Sequence, residues 1–320
     1  MLLWHFVENG NTQTTMYLGG MWNGLHEGSG IGVWATGEVY VGELHKGNRH
    51  GQGVYIDANG DRFEGQFYED EPHGIGIFTS LSCERYQGLW RDGNRHGVGI
   101  LTKPNGSHYA GTWQDDERHG FGASTTSSGI KYVGEWEYDK KNGFGKQTWP
   151  VDALSDGSGK AQSRVSNQVA GSPQVVRYEG EFRDNEIHGQ GVLTHPGEGR
   201  YEGEFRDGNF HGYGASVSED GNRYQGEVSD GHPHGRGIFI WSNGTHYDGA
   251  FKEGVIHGLG TAVWANGVRY SGEWRRDLPN GHGTITWPDS RSYSGTWKDG
   301  CLRQGETTAN FFTTAEACGF

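Results

Sequence analysis

The chain has 320 residues, of which 58 are Gly, 32% are hydrophobic and 13% are aromatic, and its formal net charge is −13. A glycine share far above the usual value of roughly 7% excludes an ordinary globular composition. The acidic balance disfavours nucleic acids and anionic membranes as partners, because both repel a negatively charged surface.

No stretch of the sequence approaches the ~20 apolar residues that a membrane-spanning helix requires. The N-terminus lacks the basic region and the long apolar segment of a signal peptide. Cys83, Cys301 and Cys318 are too few and too scattered for a disulfide framework. We therefore expect a cytoplasmic protein in a reducing compartment.

Residues 1–16 precede the first complete repeat of the chain. Within them, residues 4–10 (WHFVENG) resemble residues 54–60 (VYIDANG), which form the second half of a later repeat. We expect residues 1–16 to form a half-repeat that caps the first complete hairpin.

An aromatic residue then recurs at intervals of 23, with one interval of 46 between Tyr132 and Tyr178. Such regularity is typical of a stack of one supersecondary unit. We assign six repeats to residues 17–150 and six to residues 178–305. These anchors are Tyr17, Tyr40, Phe63, Tyr86, Tyr109, Tyr132, Tyr178, Tyr201, Tyr224, Tyr247, Tyr270 and Tyr293.

Each repeat has the pattern of a β-hairpin. With the anchor as position 0, Gly occupies +2 and an apolar residue occupies +4, so these three residues lie on one strand face. Turn-forming residues follow, and glycines at +11 and +13 open a second strand in eleven repeats. We expect these glycines to let aromatic rings lie flat on the neighbouring backbone.

The sequence therefore predicts an all-β fold, an elongated single-layer antiparallel ribbon of about twelve 23-residue hairpins. At a strand spacing of ~4.8 Å, such a ribbon would be on the order of 115 Å long.

Two segments fall outside the repeat pattern. Residues 151–177 are rich in Ser, Gly and Gln, and we predict a flexible insert that is either a neutral surface loop or a docking or phosphorylation segment. Residues 306–320 form a C-terminal tail. Within it, Phe311 and Phe312 are expected to cover the last strand edge or to bind a subunit that covers it.

The run Tyr-x-Gly-x-Trp/Phe, turn, His-Gly-x-Gly resembles the MORN repeat (membrane occupation and recognition nexus). Examples are residues 86–90 with 96–99, and residues 178–182 with 188–191. The resemblance implies a β ribbon that acts as a scaffold and protein-binding module, with a groove for a partner peptide and dimers formed through terminal repeats. It also implies a place in cilia and flagella, including radial spoke heads, in cytoskeletal complexes or in membrane-contact proteins.

The aromatic residues at 0 and +4 either pack within the repeats or line a groove for a partner. Because Trp and Tyr dominate binding hot spots, we predict partner contacts among them. The predicted residues are Tyr86, Trp90, Tyr109, Trp113, Tyr132, Trp136, Phe182, Phe205, Phe251, Trp274 and Trp297.

We expect no catalytic residue, metal or cofactor. Histidine occupies +10 in eight repeats, but neighbouring copies would lie ~10 Å apart across two strands, whereas zinc ligands lie ~2 Å from a shared ion. A structural role for these histidines is therefore predicted.

The predicted function is a non-enzymatic scaffold in a cytoskeletal assembly, with the axoneme of a cilium or flagellum as the first choice. The expected partners are proteins of a large complex, including a second copy or another MORN protein. One alternative is a membrane tether that binds phospholipid, although the chain has no basic cluster or lipidation motif. The other is a regulatory subunit that presents a partner enzyme.

Overall fold

The computed structural model describes residues 4–7, 15–151, 175–304 and 307–310. The chain forms two compact units, Met1–Gln147 and Thr148–Phe320. Residues 152–174 of the predicted insert and residues 311–320 of the predicted tail lie outside the described residues.

The first unit contains twelve complete strands and most of a thirteenth. They are β1 (Trp4–Val7), β2 (Thr15–Trp22), β3 (Leu25–Val33), β4 (Val39–His45), β5 (Asn48–Ile56), β6 (Arg62–Tyr68), β7 (Glu71–Thr79), β8 (Arg85–Arg91), β9 (Asn94–Thr102), β10 (His108–Gln114), β11 (Glu117–Thr125), β12 (Lys131–Glu137) and β13 (Lys140–Pro150).

The second unit continues the same alternation of a shorter and a longer strand. Its strands are β14 (Val175–Arg183), β15 (Glu186–His195), β16 (Gly199–Arg206), β17 (Asn209–Ser218), β18 (Arg223–Ser229), β19 (His232–Ile240), β20 (His246–Lys252), β21 (Val255–Val263), β22 (Arg269–Arg275), β23 (Leu278–Thr286), β24 (Ser292–Lys298), β25 (Cys301–Gln304) and β26 (Thr307–Asn310).

Within β1–β12 and within β14–β26, consecutive strands pair in antiparallel register, and the repeat glycines face one another across the sheet. Gly99 in β9 is opposite Gly88 in β8 and Gly111 in β10. A bulge interrupts ten of the hairpins just after the +2 glycine, for example between Gly88 and Trp90. The predicted all-β antiparallel ribbon of 23-residue hairpins is confirmed. At the N-terminal end, β1 pairs with β2.

Two kinds of turn alternate along each unit. The short turn within a repeat has two residues with positive φ, such as Asp115 (49°) and Asp116 (70°). This is the type I′ geometry that suits the twist of a hairpin and favours Asp, Asn and Gly. The longer turn between repeats places one residue in the left-handed region, and Gly106 (84°) is an example.

The core of each unit is a ladder of aromatic rings on one sheet face, which we call the aromatic face. The Tyr86 ring makes edge contacts with Trp90 of its own repeat, at 5.1 Å between centroids, and with Trp113 of the next repeat, at 5.4 Å. A Cβ on Gly99 would overlap the Tyr86 ring and its hydroxyl. The prediction that glycine lets a ring lie on the backbone is confirmed.

Some details differ from the sequence-based expectations. Strand β14 begins at Val175, inside the predicted insert, because Val176 is buried against the sheet. Tyr293 is 50% exposed, unlike the other anchors, since its repeat lacks the glycines at +11 and +13. Cys301 is disulfide-bonded, a single bond that the sequence-based expectation, which concerned only a disulfide framework, did not predict. A single bond needs only two half-cystines within reach, so a low cysteine count does not exclude it.

Candidate partner-binding groove

The anchor tyrosines are held in place by contacts of both the ring and the hydroxyl group. Except at Tyr293, each ring lies on a glycine pair, and its hydroxyl donates to the carbonyl oxygen at +3, as from Tyr86 to Leu89 at 3.0 Å and from Tyr132 to Glu135 at 2.8 Å. Burial raises the pKa of Tyr40 and Tyr109 to about 12. These hydroxyls therefore hold the bulged strand in place rather than offering a reactive phenol.

The tryptophans at +4 also satisfy their polar atom within the chain. The indole N–H of Trp113 donates to Gly99 O at 3.3 Å, and that of Trp136 donates to Gly122 O at 3.2 Å. A buried indole normally requires such a partner. The role visible in the structure is therefore packing between repeats.

Nearly all of the predicted partner-contact residues are buried in this ladder. Trp90 is half-buried, and the other residues have between 1% and 6% of their surface exposed. Their contact with a partner stays a prediction. The buried residues are Tyr86, Tyr109, Trp113, Tyr132, Trp136, Phe182, Phe205, Phe251, Trp274 and Trp297.

Position +9 adds a positive charge to the aromatic face of the first unit. The Arg95 guanidinium lies 4.3 Å from the centre of the Trp113 ring. Its Nε donates to Asp116 Oδ1 at 2.8 Å, and the Arg95 backbone N–H donates to the same oxygen at 3.0 Å. Arg118 repeats this arrangement with Trp136 and Asp139. Such charge-assisted bonds fix the guanidinium on the ring.

The last basic residue of this row behaves differently. The Lys141 ammonium lies 5.5 Å from the centre of the Tyr132 ring and donates to Gln147 Oε1 at 2.6 Å. Burial lowers the pKa of Lys141 to about 8. The row of basic residues at +9 in the first unit therefore ends at Lys141, whose amine is shielded from water.

Two depressions open on the aromatic face of the first unit, and Tyr55 lines both. The first, of about 400 Å³, also contains Trp34, Glu38 and Arg49. The second, of about 470 Å³, has a floor that includes the half-buried Phe78, Trp90 and Leu101, with Glu84 and Arg95 among its lining residues. We call the two depressions together the aromatic groove.

The charges of the aromatic groove are arranged in a regular way. Carboxylates occupy the position two residues before an anchor, and Tyr55 donates to one of them, Glu38 Oε1, at 2.9 Å. Arg49 lies on the other side of the same ring, 4.4 Å from its centre. A chain segment with apolar side chains and backbone polar groups would find both rings and hydrogen-bonding partners there.

The prediction from sequence missed the floor of this groove. Tyr55, Phe78 and Leu101 occupy position +15 of three successive repeats, directly opposite the next anchor. Their 23-residue spacing was the available signal. The same signal identifies Trp241, Trp264 and Trp287, which are half-buried on the aromatic face of the second unit at position +17.

The histidines at +10 lie beside acidic turns of the next repeat. His96 Nδ1 is 3.5 Å from Asp115 Oδ1, and in a repeat where Asn replaces His, Asn280 Nδ2 donates to Asp299 Oδ1 at 2.9 Å. Throughout the described residues, no cluster of three His, Cys, Asp or Glu side chains could hold a metal ion. Nor does that part of the chain include a helix long and apolar enough to cross a membrane.

These features define a repeat-built β scaffold in which each hairpin packs on its neighbours and offers its remaining surface for interaction. A model of the MORN repeat matches ten segments that together span more than half of the sequence, so the chain belongs to the MORN-repeat family. The matched segments are 40–62, 63–80, 86–108, 109–130, 132–152, 178–200, 201–223, 224–246, 247–269 and 270–290. No curated protein matches the chain.

Solved structures resemble the chain only distantly. A CPAP G-box domain is 12% identical, with a TM-score of 0.34 over 70% of this chain and 100% of that domain. The TCP domain of SAS-4 from Drosophila melanogaster, solved with a proline-rich motif of Ana2, is 9% identical, with a TM-score of 0.29 over 55% of this chain and 84% of that one. A mutant TCP10 domain of Danio rerio CPAP is 10% identical, with a TM-score of 0.24 over 83% and 99%.

Proposed function

We propose that this protein is a non-catalytic scaffold of a cytoskeletal assembly, and that the aromatic groove binds a peptide segment of a partner protein. The observation that carries the proposal is the groove itself. It combines half-buried rings and an apolar floor at Tyr55, Phe78 and Leu101 with carboxylates on one side and ring-stacked guanidinium groups on the other.

The partner segment is an extended peptide with apolar side chains. The two depressions are centred on the second and fourth repeats, which are four strands or ~19 Å apart. An extended chain covers that distance in about six residues. Two apolar side chains separated by about that number of residues would fill both depressions, while Glu38 and Arg95 would contact the backbone or polar groups of the peptide.

A photo-crosslinking amino acid tests the groove in cells of the natural source. Placed at Leu101, it should yield an adduct with a defined protein, and the double substitution Tyr55→Ala and Phe78→Ala should abolish that adduct. The matched control is the same amino acid at Asn105, which is exposed on the adjoining turn. An adduct of equal yield at both positions, or none at Leu101, would refute a binding groove.

We further propose that the assembly is the axoneme of a cilium or flagellum, an inference supported by the family resemblance. A C-terminal fluorescent tag, imaged before and after detergent extraction, tests this location. Signal retained along the axoneme supports it. Signal retained on other filaments refutes the axoneme but keeps the cytoskeletal scaffold, and signal lost with detergent favours the membrane tether.

A further inference from the structure

The sheet face opposite the aromatic face carries a row of exposed apolar side chains in the first unit. Position +12 is occupied by Ile75, Val98, Phe121 and Phe144 in four successive repeats, and each is between 62% and 66% exposed. Single exposed apolar residues are ordinary. Four at one repeat position of an acidic chain, with Leu89, Thr112 and Glu135 on the strands between them, are the kind of surface that marks an interaction site.

Neighbouring strands widen this row. Ile75 is directly opposite Leu89. On the next pair of strands, Ile100 lies two residues beyond Val98 on the same face and is opposite Ala110. Leu89 is 40% exposed and Ile100 is 50% exposed. We call the surface formed by residues 75, 89, 98, 100, 121, 133 and 144 the apolar stripe.

The stripe is confined to the first unit. At the equivalent positions the second unit has Gln190, Arg236 and His282, which interrupt the two apolar residues, Tyr213 and Leu259. The backbone register is the same in both units, so the difference lies in the side chains alone.

The spacing of the stripe fits a helical partner. Successive +12 residues are two strands apart, ~9.6 Å. Seven residues of an α-helix rise about 10.5 Å and return to the same helix face. In an extended strand, a similar distance needs three residues, which places the next side chain on the opposite face. The row therefore matches an α-helix with apolar residues at heptad spacing.

The borders of the stripe carry opposite charges. On the side of the longer turns, Arg85, His108 and Lys131 are exposed, and neither Arg85 nor Lys131 has a described acidic side chain within salt-bridge distance. On the side of the short turns, the carboxylates of Asp92 and Asp115 are exposed, and each also lies beside a basic side chain of its own sheet, His73 and Arg91 respectively. A helix with acidic residues along one flank and basic residues along the other fits this surface in only one direction.

We propose that the apolar stripe binds an amphipathic α-helix of a partner protein, about 21 residues long, with its acidic flank toward Arg85 and Lys131. This surface is separate from the aromatic groove and lies on the other side of the same strands. The first unit therefore has two binding faces.

A designed helical peptide tests the proposal on the full chain. The fluorescein-labelled peptide has 21 residues, with leucines at heptad spacing, glutamates along one flank and lysines along the other. Fluorescence anisotropy should show binding that weakens at least tenfold in the double substitution Val98→Glu and Phe121→Glu. The reversed peptide, in which the two flanks are exchanged, should bind at least tenfold more weakly than the original.

Two control variants separate this surface from others. The double substitution Tyr213→Glu and Leu259→Glu makes the same chemical change in the second unit and should leave the affinity unchanged. The double substitution Tyr55→Ala and Phe78→Ala removes the groove contacts of the proposed function and should also leave it unchanged. Circular dichroism melting establishes that each variant remains folded.

Three results would overturn the proposal. The first is wild-type protein that does not bind the peptide, and the second is equal affinity in the Val98→Glu/Phe121→Glu variant. The third is analytical ultracentrifugation that shows a wild-type dimer converted to a monomer by those two substitutions, because the occupant of the stripe would then be a second copy of this chain.

Discussion

At the residue scale, the stability of ten of the twelve repeats depends on one tyrosine ring and the two glycines beneath it. The ring takes the space that a Cβ would occupy on either glycine, and its hydroxyl closes a hydrogen bond across the bulge. This contact explains how a chain with only 32% hydrophobic residues forms a core, since backbone serves as part of the packed surface.

Substitution of one such glycine should therefore be costly. In Gly99→Ala the new methyl group would overlap the Tyr86 hydroxyl, so the ring must move off the backbone. We expect a loss of about 1–3 kcal/mol in the free energy of unfolding, measured by urea denaturation.

The matched control is Gly106→Asn. Gly106 has a positive φ, a Cβ placed on it would meet no described atom within 4 Å, and Asn tolerates that backbone conformation. A change of less than about 0.5 kcal/mol is expected. Equal losses in both variants would contradict the role assigned to the ring contact.

The raised pKa values of the buried tyrosines predict the pH at which the fold loses stability in alkali. Burial raises the folded pKa of Tyr40, Tyr109, Tyr201 and Tyr224 from 10.0 to about 12. Because the folded state favours the neutral phenol, this contribution to stability is complete below pH 10 and is lost as the pH rises from 10 to 12.

Absorbance at the tyrosinate band, followed together with circular dichroism, measures this limit. The buried class should ionise near or above pH 12, or together with unfolding. Ionisation of all fifteen tyrosines in one step near pH 10 in a protein that stays folded would contradict it.

At the scale of the element, the hairpins are joined by a ladder of turns. The backbone N–H of Asp116 donates to Arg95 O at 3.1 Å, and the Asp116 carboxylate accepts from the Arg95 backbone and side chain. Where the equivalent residue is glycine, as at Gly93, the backbone bond to Pro72 O remains at 3.0 Å. The acid therefore adds a side-chain link to a turn contact that most repeats share.

The substitution Asp116→Gly isolates this link, because glycine at the same position keeps the positive φ and the backbone bond. We expect a loss of about 1–2 kcal/mol in the free energy of unfolding, in the range of a charged hydrogen bond that is partly exposed. High salt should shrink the difference between the variant and the wild type. A variant as stable as the wild type would show that the carboxylate contributes nothing measurable.

The hairpins were the part of this fold that the sequence could specify. Positions 0, +2 and +4 alternate with polar residues, and the short turns contain the Asp and Gly that positive φ favours, so strand direction and face follow from local patterns. The groove floor could not be predicted in this way. Residues such as Tyr55 and Phe78 can be assigned to the floor only when the strand register places them opposite the next anchor. The stacked arginines likewise depend on a turn 21 residues away.

For Trp113 and Trp136, by contrast, the sequence predicted partner binding and the structure shows burial. Their size and polarity favour binding hot spots, but the same properties suit a ring that packs between two repeats and donates its N–H to a glycine carbonyl. Sequence alone cannot separate these uses, since burial is decided by the neighbouring hairpin.

At the scale of the whole molecule, neither unit depends on a single central core. Each hairpin packs chiefly on the hairpins before and after it, so stability is close to a sum over neighbours. Removal of one complete period should therefore be tolerated, whereas removal of one strand should not.

Deletion of residues 86–108 removes 23 positions and joins Arg85 to Tyr109 in phase. We expect a folded protein with a β-type circular dichroism spectrum and a modest decrease in melting temperature. The contrasting deletion, residues 94–104, removes the whole of strand β9 and reverses the antiparallel alternation beyond it. It should lose cooperative unfolding, and equal behaviour of the two deletions would argue against a stack of independent periods.

The side chains at +9 give the two units different sensitivities to ionic strength. In the first unit, four of the six repeats carry Arg or Lys at this position, namely Arg49, Arg95, Arg118 and Lys141, and the other two carry His26 and Pro72. The second unit has only apolar residues there, at positions 187, 210, 233, 256, 279 and 302. Added salt weakens partly exposed charge contacts but leaves apolar packing intact or strengthens it. A rise in salt concentration would thus weaken the packing of the repeats that form the aromatic groove, while the packing of the second unit would be unchanged. Two units built from the same 23-residue repeat therefore differ in how their stability depends on salt concentration.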